Sequence, residues 1–391
     1  MFMRIALCTD TFFPQVNGVV NVVHMLADAL VSRGHTVCVF ALSSEDIDSL
    51  RSRPEVTYEV QTIASLPVPL YPGERVTLPV GVAFRQLRAF APDVIHIHTP
   101  FAMGREAVIA ARRLNVPLVG THHTFYDQYL KLWRLDYPWA RHLSWRFTNR
   151  FYNHCARVVC PTRALALAMQ STGLKAHVEI LPNPVLLQDF TPREIHQDAR
   201  RETNERSIAY MGRLSAEKDI DMVLRAFAAL QQLQTSTERE RTKLVLIGDG
   251  PERAALEALA AKLHIGSRTV FTGFLRKKAL SDELRRHDVF VTASRSENMP
   301  VSVLEAMATG LPVVAVDALG MPELVRDGQN GFVVAPSDAA AMAERFALLL
   351  RDDSLRKTFG EASRLYAQEH DPLAVAGLHE ALYETVLTLG N

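Results

Sequence analysis

Short runs of β-branched and aliphatic residues alternate along the chain with segments whose apolar positions recur at helical spacing. In the first half, strand-like runs at 4–7, 36–41, 94–97 and 118–120 alternate with helical periodicity over 18–33 and 103–114. After residue 206 the alternation recurs, with strand-like runs at 208–211, 244–247, 270–272, 289–292 and 313–316 and a helix around 222–230. Such alternation is typical of parallel sheets with crossover helices. The sequence therefore predicts an α/β protein with two doubly wound halves.

A polar stretch separates the two halves. Residues 191–206 are charged and lack periodicity, and the preceding Leu181-Pro182-Asn183-Pro184 is rich in turn-forming residues. A chain of 391 residues also exceeds what one hydrophobic core usually serves. We predict domains over 1–190 and 191–371, with a C-terminal helix at about 372–391 that packs back on the first domain.

The charge balance narrows the choice of function. Lysine plus arginine and aspartate plus glutamate number 43 each, which argues against a nucleic-acid binder that relies on general attraction to phosphates. Residues 1–190 carry 18 basic and 14 acidic side chains, against 25 and 29 in the remainder. The first half is thus the more basic one, which suggests that the halves face different partners.

Cysteine usage and the chain start indicate a compartment. The four cysteines form no Cys-x-x-Cys pair and three lie in strand-like runs, so buried thiols in a reducing compartment are predicted. Met1 leads into the first strand-like run without a secretory leader, and no run of 18 apolar residues occurs. We expect a cytoplasmic protein, with peripheral attachment to the cytoplasmic face of a membrane as the alternative.

Two glutamates with seven residues between them, Glu297 and Glu305, flank the start of a predicted helix. Pro300 suits the first turn of that helix, and the 3.6-residue period then puts Glu305 on the polar face, away from the core. At 1.5 Å per residue, Glu305 lies roughly 7 to 8 Å along the axis from Pro300. One ligand that crosses the helix N-terminus could contact both carboxylates, and the N-terminus favours a phosphate. A solvated helix face would show the same spacing.

Two cations follow the first strand of the second half, in Gly212-Arg213-Leu214-Ser215-Ala216-Glu217-Lys218. In open α/β sheets, ligands bind at the carboxyl ends of the strands, where this turn is predicted to lie. Arg213 can make bidentate bonds to a diphosphate and Lys218 can act as a point charge, while Asp219 is predicted to cap the next helix. A solvated, charged turn is the alternative.

A second glycine turn, Gly248-Asp249-Gly250-Pro251, also leaves a strand and opens a helix. The third glycine position of the dinucleotide fingerprint holds Arg253, and Gly18 stands alone after the first strand of the chain, so neither turn has the G-x-G-x-x-G pattern. A nicotinamide-dependent dehydrogenase is therefore disfavoured. The glycine backbone either admits a ligand or simply begins a helix.

Histidines cluster at a predicted strand end in Thr121-His122-His123-Thr124. At the carboxyl end of a parallel sheet, both imidazoles would face a crevice between the domains and hydrogen-bond a transferring group. Structural histidines with internal partners are the alternative. No carboxylate lies at metal-ligand spacing from them or from His96-x-His98, so a metal site is disfavoured.

Aromatic and basic residues are interleaved over 126–157, which contains all three tryptophans. The candidate residues of this segment are Trp133, Trp139, Trp145, Arg134, Arg141 and Arg146. The composition is typical of a segment that lies in a membrane interface, with rings at head-group depth. A buried helix pair with ordinary aromatic packing is the alternative.

Together these motifs resemble the retaining glycosyltransferases of family 4, which have the GT-B fold. The resemblance covers nearly the whole chain and rests on 9–19, Thr-x-His at 121–123, 212–218, 248–251 and the Glu-x7-Glu pair. It implies two Rossmann-like domains facing across a cleft and a UDP- or GDP-linked sugar as donor. It also implies that donor binding needs no metal and no other cofactor.

The resemblance further implies roles for individual residues. Arg213 and Lys218 would bind the donor diphosphate, Glu297 the hexose and Glu305 the ribose. Gly18 would lie at the phosphates and His123 at the transferring sugar, so Glu297, His123, Arg213 and Lys218 form the predicted catalytic set. The remaining predicted donor contacts are Gly248, Asp249, Gly250, Asn298, Met299 and Val301.

Similar family members act on lipids such as diacylglycerol or phosphatidylinositol. The sequence therefore predicts transfer of a hexose to a membrane lipid with retention of the anomeric configuration, with an anionic membrane surface as partner and no nucleic acid. Three alternatives share the donor motifs: a soluble transferase acting on a small polyol or sugar phosphate, a nucleotide-sugar epimerase, and a catalytically silent nucleotide-binding module. The oligomeric state does not follow from the sequence.

Overall fold

A computed structural model describes residues 1–15, 17–42, 56–67, 75–77, 80–131, 135–192 and 205–389. The chain divides into two compact units, Met1–Pro184 with Asp371–Asn391, and Val185–His370. The division after Pro184 precedes the predicted boundary at 190. The side chains of Val185 and Phe190 explain the difference, because both are buried in a hydrophobic cluster of the second unit.

The first unit contains a parallel sheet covered by helices. Its strands are β1 (Arg4–Thr9), β2 (Thr36–Leu42), β3 (Glu59–Ile63), β4 (Leu66–Pro67), β5 (Arg75–Val76), β6 (Val94–Ile97), β7 (Leu118–Thr121), β8 (Arg157–Cys160) and β9 (His177–Ile180). Its helices up to Pro184 are α1 (Gly18–Ser32), α2 (Phe84–Phe90), α3 (Ala102–Leu114), α4 (Pro138–Tyr152) and α5 (Arg163–Ser171), with a 3-10 helix at Tyr126–Lys131. The sheet order is β3-β2-β1-β6-β7-β8-β9, and β4 pairs with β5 separately.

The second unit repeats this architecture. Its strands are β10 (Arg206–Met211), β11 (Thr242–Ile247), β12 (Thr269–Gly273), β13 (Val289–Val291), β14 (Val313–Val316) and β15 (Gly331–Val334). Its helices are α6 (Ile220–Leu233), α7 (Ser236–Arg241), α8 (Arg253–Lys262), α9 (Lys277–Leu284), α10 (Val301–Ala308), α11 (Met321–Leu324), α12 (Ala339–Arg351) and α13 (Asp353–Gln368), with 3-10 helices at Ala216–Lys218 and Gly266–Arg268. Adjacent strands are parallel in the order β12-β11-β10-β13-β14-β15.

The two faces of the second sheet pack against different helices. Alternate residues of a strand point to opposite faces. Ile208 and Tyr210 of β10 accordingly join one buried cluster with α6 and α12, whereas Ala209 and Met211 join another with α10. Strands buried on both faces explain why the apolar runs are continuous rather than alternating.

The chain order of the strands reverses once in each main sheet, between β1 and β6 and between β10 and β13. This order defines a doubly wound, Rossmann-like sheet, whose ligands bind outside the carboxyl ends of the strands at the reversal. The predicted fold class, with two Rossmann-like domains, is confirmed. The candidate residues Arg213, Lys218 and Glu297 all lie in loops that follow β10 or β13.

The C-terminal helix α14 (Pro372–Leu389) belongs to the first unit. Its Ala376, Leu382, Tyr383 and Val386 share a buried cluster with β1, β2 and α1. The chain therefore completes the core of its first unit with its last helix. None of the helices in the described residues is both long and apolar enough to span a bilayer.

Candidate functional site

Two loops meet at the strand-order reversal of the second sheet. Lys218, after β10, donates a hydrogen bond to the carboxylate of Glu297, after β13, and forms an ion pair with it. Nearby, Arg295 donates from Nε at 2.7 Å and from Nη2 at 2.9 Å to the carboxylate of Asp219. Two charged bridges between the same loops hold a cation and a carboxylate at the edge where α/β sheets bind ligands.

The sequence predicted that Asp219 caps helix α6, but the Asp219 side chain does not form this cap. The residue occupies the N-cap position with φ 49°, but its side chain makes no capping hydrogen bond. The Arg295 guanidinium binds that carboxylate instead, because a bidentate charged bond outcompetes a single amide. Arg295 was missed from the sequence, since the two residues are separated by 76 positions and no local pattern joins them.

Arg213 is exposed and follows β10 in the same loop as Lys218. It follows Gly212 directly after β10, and its carbonyl oxygen accepts a hydrogen bond of 3.1 Å from the Tyr210 hydroxyl. Within the described residues the structure shows no hydrogen bond from the Arg213 guanidinium. The guanidinium is therefore accessible to an anion, whereas Lys218 is already paired.

The glycines of the second turn are required by close backbone packing. A Cβ on Gly248, whose φ is 143°, would lie 1.9 Å from the Gly212 carbonyl oxygen, and a Cβ on Gly250 would lie 2.3 Å from the Leu214 carbonyl oxygen. The Leu214 amide also donates to the Asp249 carbonyl oxygen at 2.9 Å. The two turns thus form one unit, so packing explains both glycines without a ligand.

Gly18 differs from these two glycines. It begins helix α1, which Asn17 caps by accepting a hydrogen bond of 3.0 Å from the Val20 amide. Apart from its chain neighbours and the backbone of its own helix, no atom of the described residues lies within 4 Å of the position that a Cβ on Gly18 would take. Packing within the described structure therefore does not require a glycine here, and the N-terminus of α1 has open space beside it.

Ser302 and Glu305 are half-buried while the other six residues of helix α10 are buried, so the freely solvated helix face that the sequence left open as an alternative is not observed. Helix α10 begins at Val301, with Pro300 at its N-cap position rather than in its first turn, and buries residues on most of its surface. The half-buried Glu305 carboxyl is surrounded by protein, and this desolvation, with a smaller contribution from the Asp189 carboxylate, raises its pKa to about 8. The carboxyl is therefore mostly protonated at neutral pH.

The residues between the two glutamates are largely inaccessible. Asn298, Met299 and Val301 are all buried. Met299 belongs to the same hydrophobic cluster as the buried face of α10. The loop from Glu297 to Pro300 is thus anchored in the core, which fixes both ends of the Glu-x7-Glu segment.

His122 and His123 directly follow β7, at the strand end where the sequence placed them, and both imidazoles are buried in the first unit. Both nitrogens of His122 lack a hydrogen-bond partner within the described residues, and its ring packs on Tyr126, Trp145 and Tyr152. Burial, with a smaller effect from His123, lowers the pKa of His122 to about 3. Neutral His122 is therefore an aromatic core residue.

His123 belongs to a buried histidine cluster. Its Nε2 lies 3.1 Å from His98 Nδ1, and burial, followed by His379, lowers its pKa to about 3. The neighbouring His96 lies 2.7 Å from both the Tyr383 hydroxyl and the Thr121 hydroxyl. His98, His123 and His379 also line a small cavity of about 10 Å³.

The sequence contained a signal for this cluster. Residues two apart on a strand point to the same face, and His96-x-His98 and Thr121-x-His123 lie on the paired strands β6 and β7 or just beyond them. Each pattern alone does not predict the contact between His98 and His123, which requires the pairing of the two strands.

The aromatic and basic segment is partly exposed. Trp139 is 64% exposed, Arg146 is exposed and Arg141 is half-exposed in an ion pair with Asp136. Trp145 is only 8% exposed and packs on the rings of His122 and Phe125, so its predicted place in a membrane interface is wrong. Trp133 and Arg134 lie outside the described residues.

The fold and the reversal site together define a class. Two Rossmann-like sheets, the second with cations and carboxylates in the loops at its strand-order reversal, are typical of nucleotide-binding α/β proteins. Comparison with known proteins makes the class specific. The model for "Glycosyltransferase Family 4" matches residues 16–189, and the model for "Glycosyl transferases group 1" matches residues 192–366.

Named relatives agree with these models. A GDP-mannose-dependent alpha-mannosyltransferase of Mycobacterium tuberculosis is 30% identical, over 85% of this chain and 84% of the relative. An alpha-monoglucosyldiacylglycerol synthase of Streptococcus pneumoniae is 27% identical over 92% and 81%. A phosphatidyl-myo-inositol mannosyltransferase of Mycobacterium leprae is 28% identical over 100% and 98%. The chain belongs to glycosyltransferase family 4 and is a glycosyltransferase.

Solved structures support the fold alone. Anabaena HepE in complex with UDP matches with a TM-score of 0.78 and 18% identity over 97% of this chain and 99% of that one. Sucrose-phosphate synthase from Thermosynechococcus elongatus matches with a TM-score of 0.79 and 20% identity, over 98% and 99%. Both span the two units described above.

Replacement of His122 by phenylalanine should weaken the dependence of the free energy of unfolding on pH below pH 7. The folded pKa of about 3 lies below the ordinary histidine pKa of 6.5, so the unfolded chain binds more protons between these values and the free energy of unfolding falls as the pH falls through this window. Relative to the parent, His122→Phe should gain about 2 kcal/mol of unfolding free energy between pH 7 and pH 5, measured by urea unfolding. His142→Gln, at an exposed position of helix α4, is the matched control for the loss of an imidazole. If the free energy of unfolding of His122→Phe changed with pH as it does in the parent, the assignment of His122 as a buried, neutral imidazole would be contradicted.

Gly248→Ala should destabilise the second unit, because it combines a positive φ with a backbone clash. We expect a loss of about 2 kcal/mol or more in the free energy of unfolding. Gly18→Ala is the matched control, and its unfolding free energy should stay within about 0.5 kcal/mol of the parent. Equal stability of both variants in chemical denaturation would show that the two turns are not packed as described.

Proposed function

We propose that the chain transfers a hexose from a UDP- or GDP-linked sugar to a membrane lipid, with retention of the anomeric configuration. The observation that carries the proposal is the Lys218–Glu297 pair at the strand-order reversal, together with the exposed Arg213 in the same loop as Lys218. The names of the Streptococcus and Mycobacterium leprae relatives refer to diacylglycerol and phosphatidylinositol acceptors. They support a lipid acceptor, and with it peripheral association with the cytoplasmic face of a membrane.

The diphosphate would bind between Arg213 and Lys218. Arg213 would bind a phosphate with its planar fork, while Lys218 would contribute a point charge next to it. At the start of α10, the amides of Val303 and Leu304 donate to the Pro300 carbonyl oxygen, which leaves those of Val301 and Ser302 outside the intrahelical pattern. Such amides favour an anion. These positive groups support donor binding without a metal ion.

Glu297 would contact the hexose while holding Lys218. A carboxylate has capacity for several hydrogen bonds, so the oxygens of Glu297 can bind the Lys218 ammonium and still accept bonds from sugar hydroxyls. The Asp219–Arg295 bridge fixes the loops on which both residues lie. This arrangement would place the hexose next to the cation that receives the leaving diphosphate.

The chemical step would use the diphosphate itself as base. The acceptor hydroxyl oxygen forms a bond to the anomeric carbon on the leaving-group face, the bond from that carbon to the diphosphate oxygen breaks, and the acceptor proton moves to the diphosphate. Negative charge grows on the diphosphate in the transition state, so Arg213 and Lys218 stabilise it more than the ground state. His123, neutral because its pKa is about 3, would act as a hydrogen-bonding group at the sugar rather than as a proton donor.

The reaction can be tested with purified protein in the presence of EDTA. UDP- and GDP-hexoses are offered with diacylglycerol or phosphatidylinositol in mixed micelles, and the anomeric configuration of the glycolipid is determined by NMR. We expect a glycolipid that keeps the configuration of the donor. Transfer only to a polyol or sugar phosphate, conversion of the donor without an acceptor, or nucleotide binding without any turnover would each overturn the proposal. Abolition of transfer by EDTA would overturn its metal-free form.

Arg213→Ala and Lys218→Ala should each lower kcat by about 10²- to 10³-fold, because each removes a charge that stabilises the leaving diphosphate. Lys218→Ala and Glu297→Ala should not be additive when combined, since the two side chains are in contact. Exposed Arg225→Ala on α6 is the control and should keep parental turnover. Near-parental kcat in Arg213→Ala and Lys218→Ala, with folding checked by circular dichroism, would refute the assigned diphosphate site.

Glu305 should make nucleotide affinity depend on pH. If its ionised carboxylate accepts two ribose hydroxyl bonds, binding releases a proton from a group whose pKa is about 8, and affinity rises by about tenfold per pH unit below that value. Calorimetry with the free nucleoside diphosphate should therefore give a steeper pH profile for the parent than for Glu305→Gln. Asp189→Asn should shift the profile to lower pH by removing a nearby negative charge. Identical profiles for all three proteins would exclude Glu305 from the nucleotide site.

A further inference from the structure

One face of helix α4 exposes large apolar side chains at regular spacing. Trp139, Leu143 and Phe147 are 64%, 59% and 40% exposed. Positions four apart lie on the same helix face. The opposite side of the helix is buried through Trp145 and Tyr152, among others. The exposed row is therefore not a core face of the first unit.

Neighbouring aromatic residues extend this row at both ends. Tyr137, 52% exposed, stacks on Trp139 with ring centroids 6.2 Å apart and an interplanar angle of 7°. At the other end, the Arg105 guanidinium lies 5.0 Å from the centroid of the Phe147 ring. Phe101, four residues before Arg105, is 45% exposed. The apolar area thus continues from α4 to the start of α3.

Two cations lie beside the apolar row, and the described acids of the surrounding segment do not oppose them. Arg146 and Arg150 are exposed and lie four apart on the same face of α4 as Leu143. Between residues 99 and 157, the described acids are Glu106, Asp127 and Asp136. The first two are buried and the third is paired with Arg141, so none of them opposes these two arginines at the surface.

We propose that this surface, the α4 face, docks on an anionic lipid bilayer. The α4 face comprises Tyr137, Trp139, Leu143, Arg146, Phe147 and Arg150. Interfacial helices combine aromatic and aliphatic residues that enter the head-group region with arginines that bind anionic head groups. The charge of the face is complementary to such a surface. The inference rests on the lipid acceptor of the proposed function and names the surface that presents the first unit to it.

The structure narrows the segment that composition alone indicated. Trp145 is excluded by its burial, and Arg141 is engaged by Asp136. The α4 face includes Leu143, Phe147 and Arg150 because they share the exposed side of α4 with Trp139. Docking therefore depends on a defined helix face rather than on the total number of aromatic and basic residues.

Vesicle co-sedimentation tests the surface directly. The full chain is mixed with vesicles of phosphatidylcholine and phosphatidylglycerol, or of phosphatidylcholine alone. We expect preferential binding to the anionic vesicles and a decrease of about fivefold for each of Arg146→Gln and Arg150→Gln. Trp139→Ser with Leu143→Ser and Phe147→Ser should abolish sedimentation with either vesicle.

Matched controls remove equally exposed groups from the second unit. Leu365→Ser, at 66% exposure, controls for lost apolar surface, and Lys278→Gln with Lys357→Gln controls for lost positive charge. These controls should bind vesicles as the parent does. Circular dichroism and the unfolding transition of each variant establish that the α4 substitutions leave the fold intact.

Transfer assays separate this inference from the proposed reaction. Variants of the α4 face should lose transfer to lipid in anionic vesicles but keep transfer to the same lipid dispersed in detergent micelles. Parental vesicle binding in the triple serine variant would overturn the inference while the reaction stands. Vesicle binding through the α4 face without transfer to any lipid would instead overturn the reaction. Concentration-dependent dimerisation of the parent through this face without lipid would overturn the inference in favour of a second copy of the chain.

Discussion

The reversal of strand order between β10 and β13 is the constraint on which the candidate donor site depends. It brings together two loops that are separated by nearly eighty residues. No local sequence pattern would place their charged side chains in contact. The Asp219–Arg295 bridge and the Lys218–Glu297 pair then hold these loops against each other. Close packing of the turns at Gly212 and Gly248 fixes the base of the same site. The sheet thus determines where the two loops lie, and the ion pairs hold their side chains in place.

Burial determines which ionisable groups near the candidate sites carry charge. His122 and His123 are neutral because desolvation lowers their pKa, and Glu305 is mostly protonated because desolvation raises its pKa. In the second unit, the partly exposed Lys218 and Glu297 form an ion pair instead, and Arg213 remains exposed. Charge is therefore concentrated where the proposed diphosphate would bind.

The sequence predicted much of the fold and only part of the site. Strands at 94–97 and 313–316 were predicted with the bounds that the structure shows, because continuous runs of β-branched residues mark strands buried on both faces. Strand β9 was missed, since His177-Val178-Glu179-Ile180 is short and partly exposed. Lys218 and Glu297 were identified by their motifs, but their direct contact was not. Arg295 lies in no recognised motif, and only its contact with Asp219 in the structure identifies it.

The sequence by itself determined the α/β alternation, the division into two units and the residue types available for donor chemistry. These features are local: strand and turn propensities, helical period and short motifs depend on neighbours along the chain. Only the tertiary structure decided the surroundings of each side chain. It buried Trp145 while leaving Trp139 exposed, protonated Glu305 and gave Asp219 an arginine partner instead of a helix amide. The reason is physical: desolvation and ion pairing depend on groups brought together by packing, often far apart in the sequence.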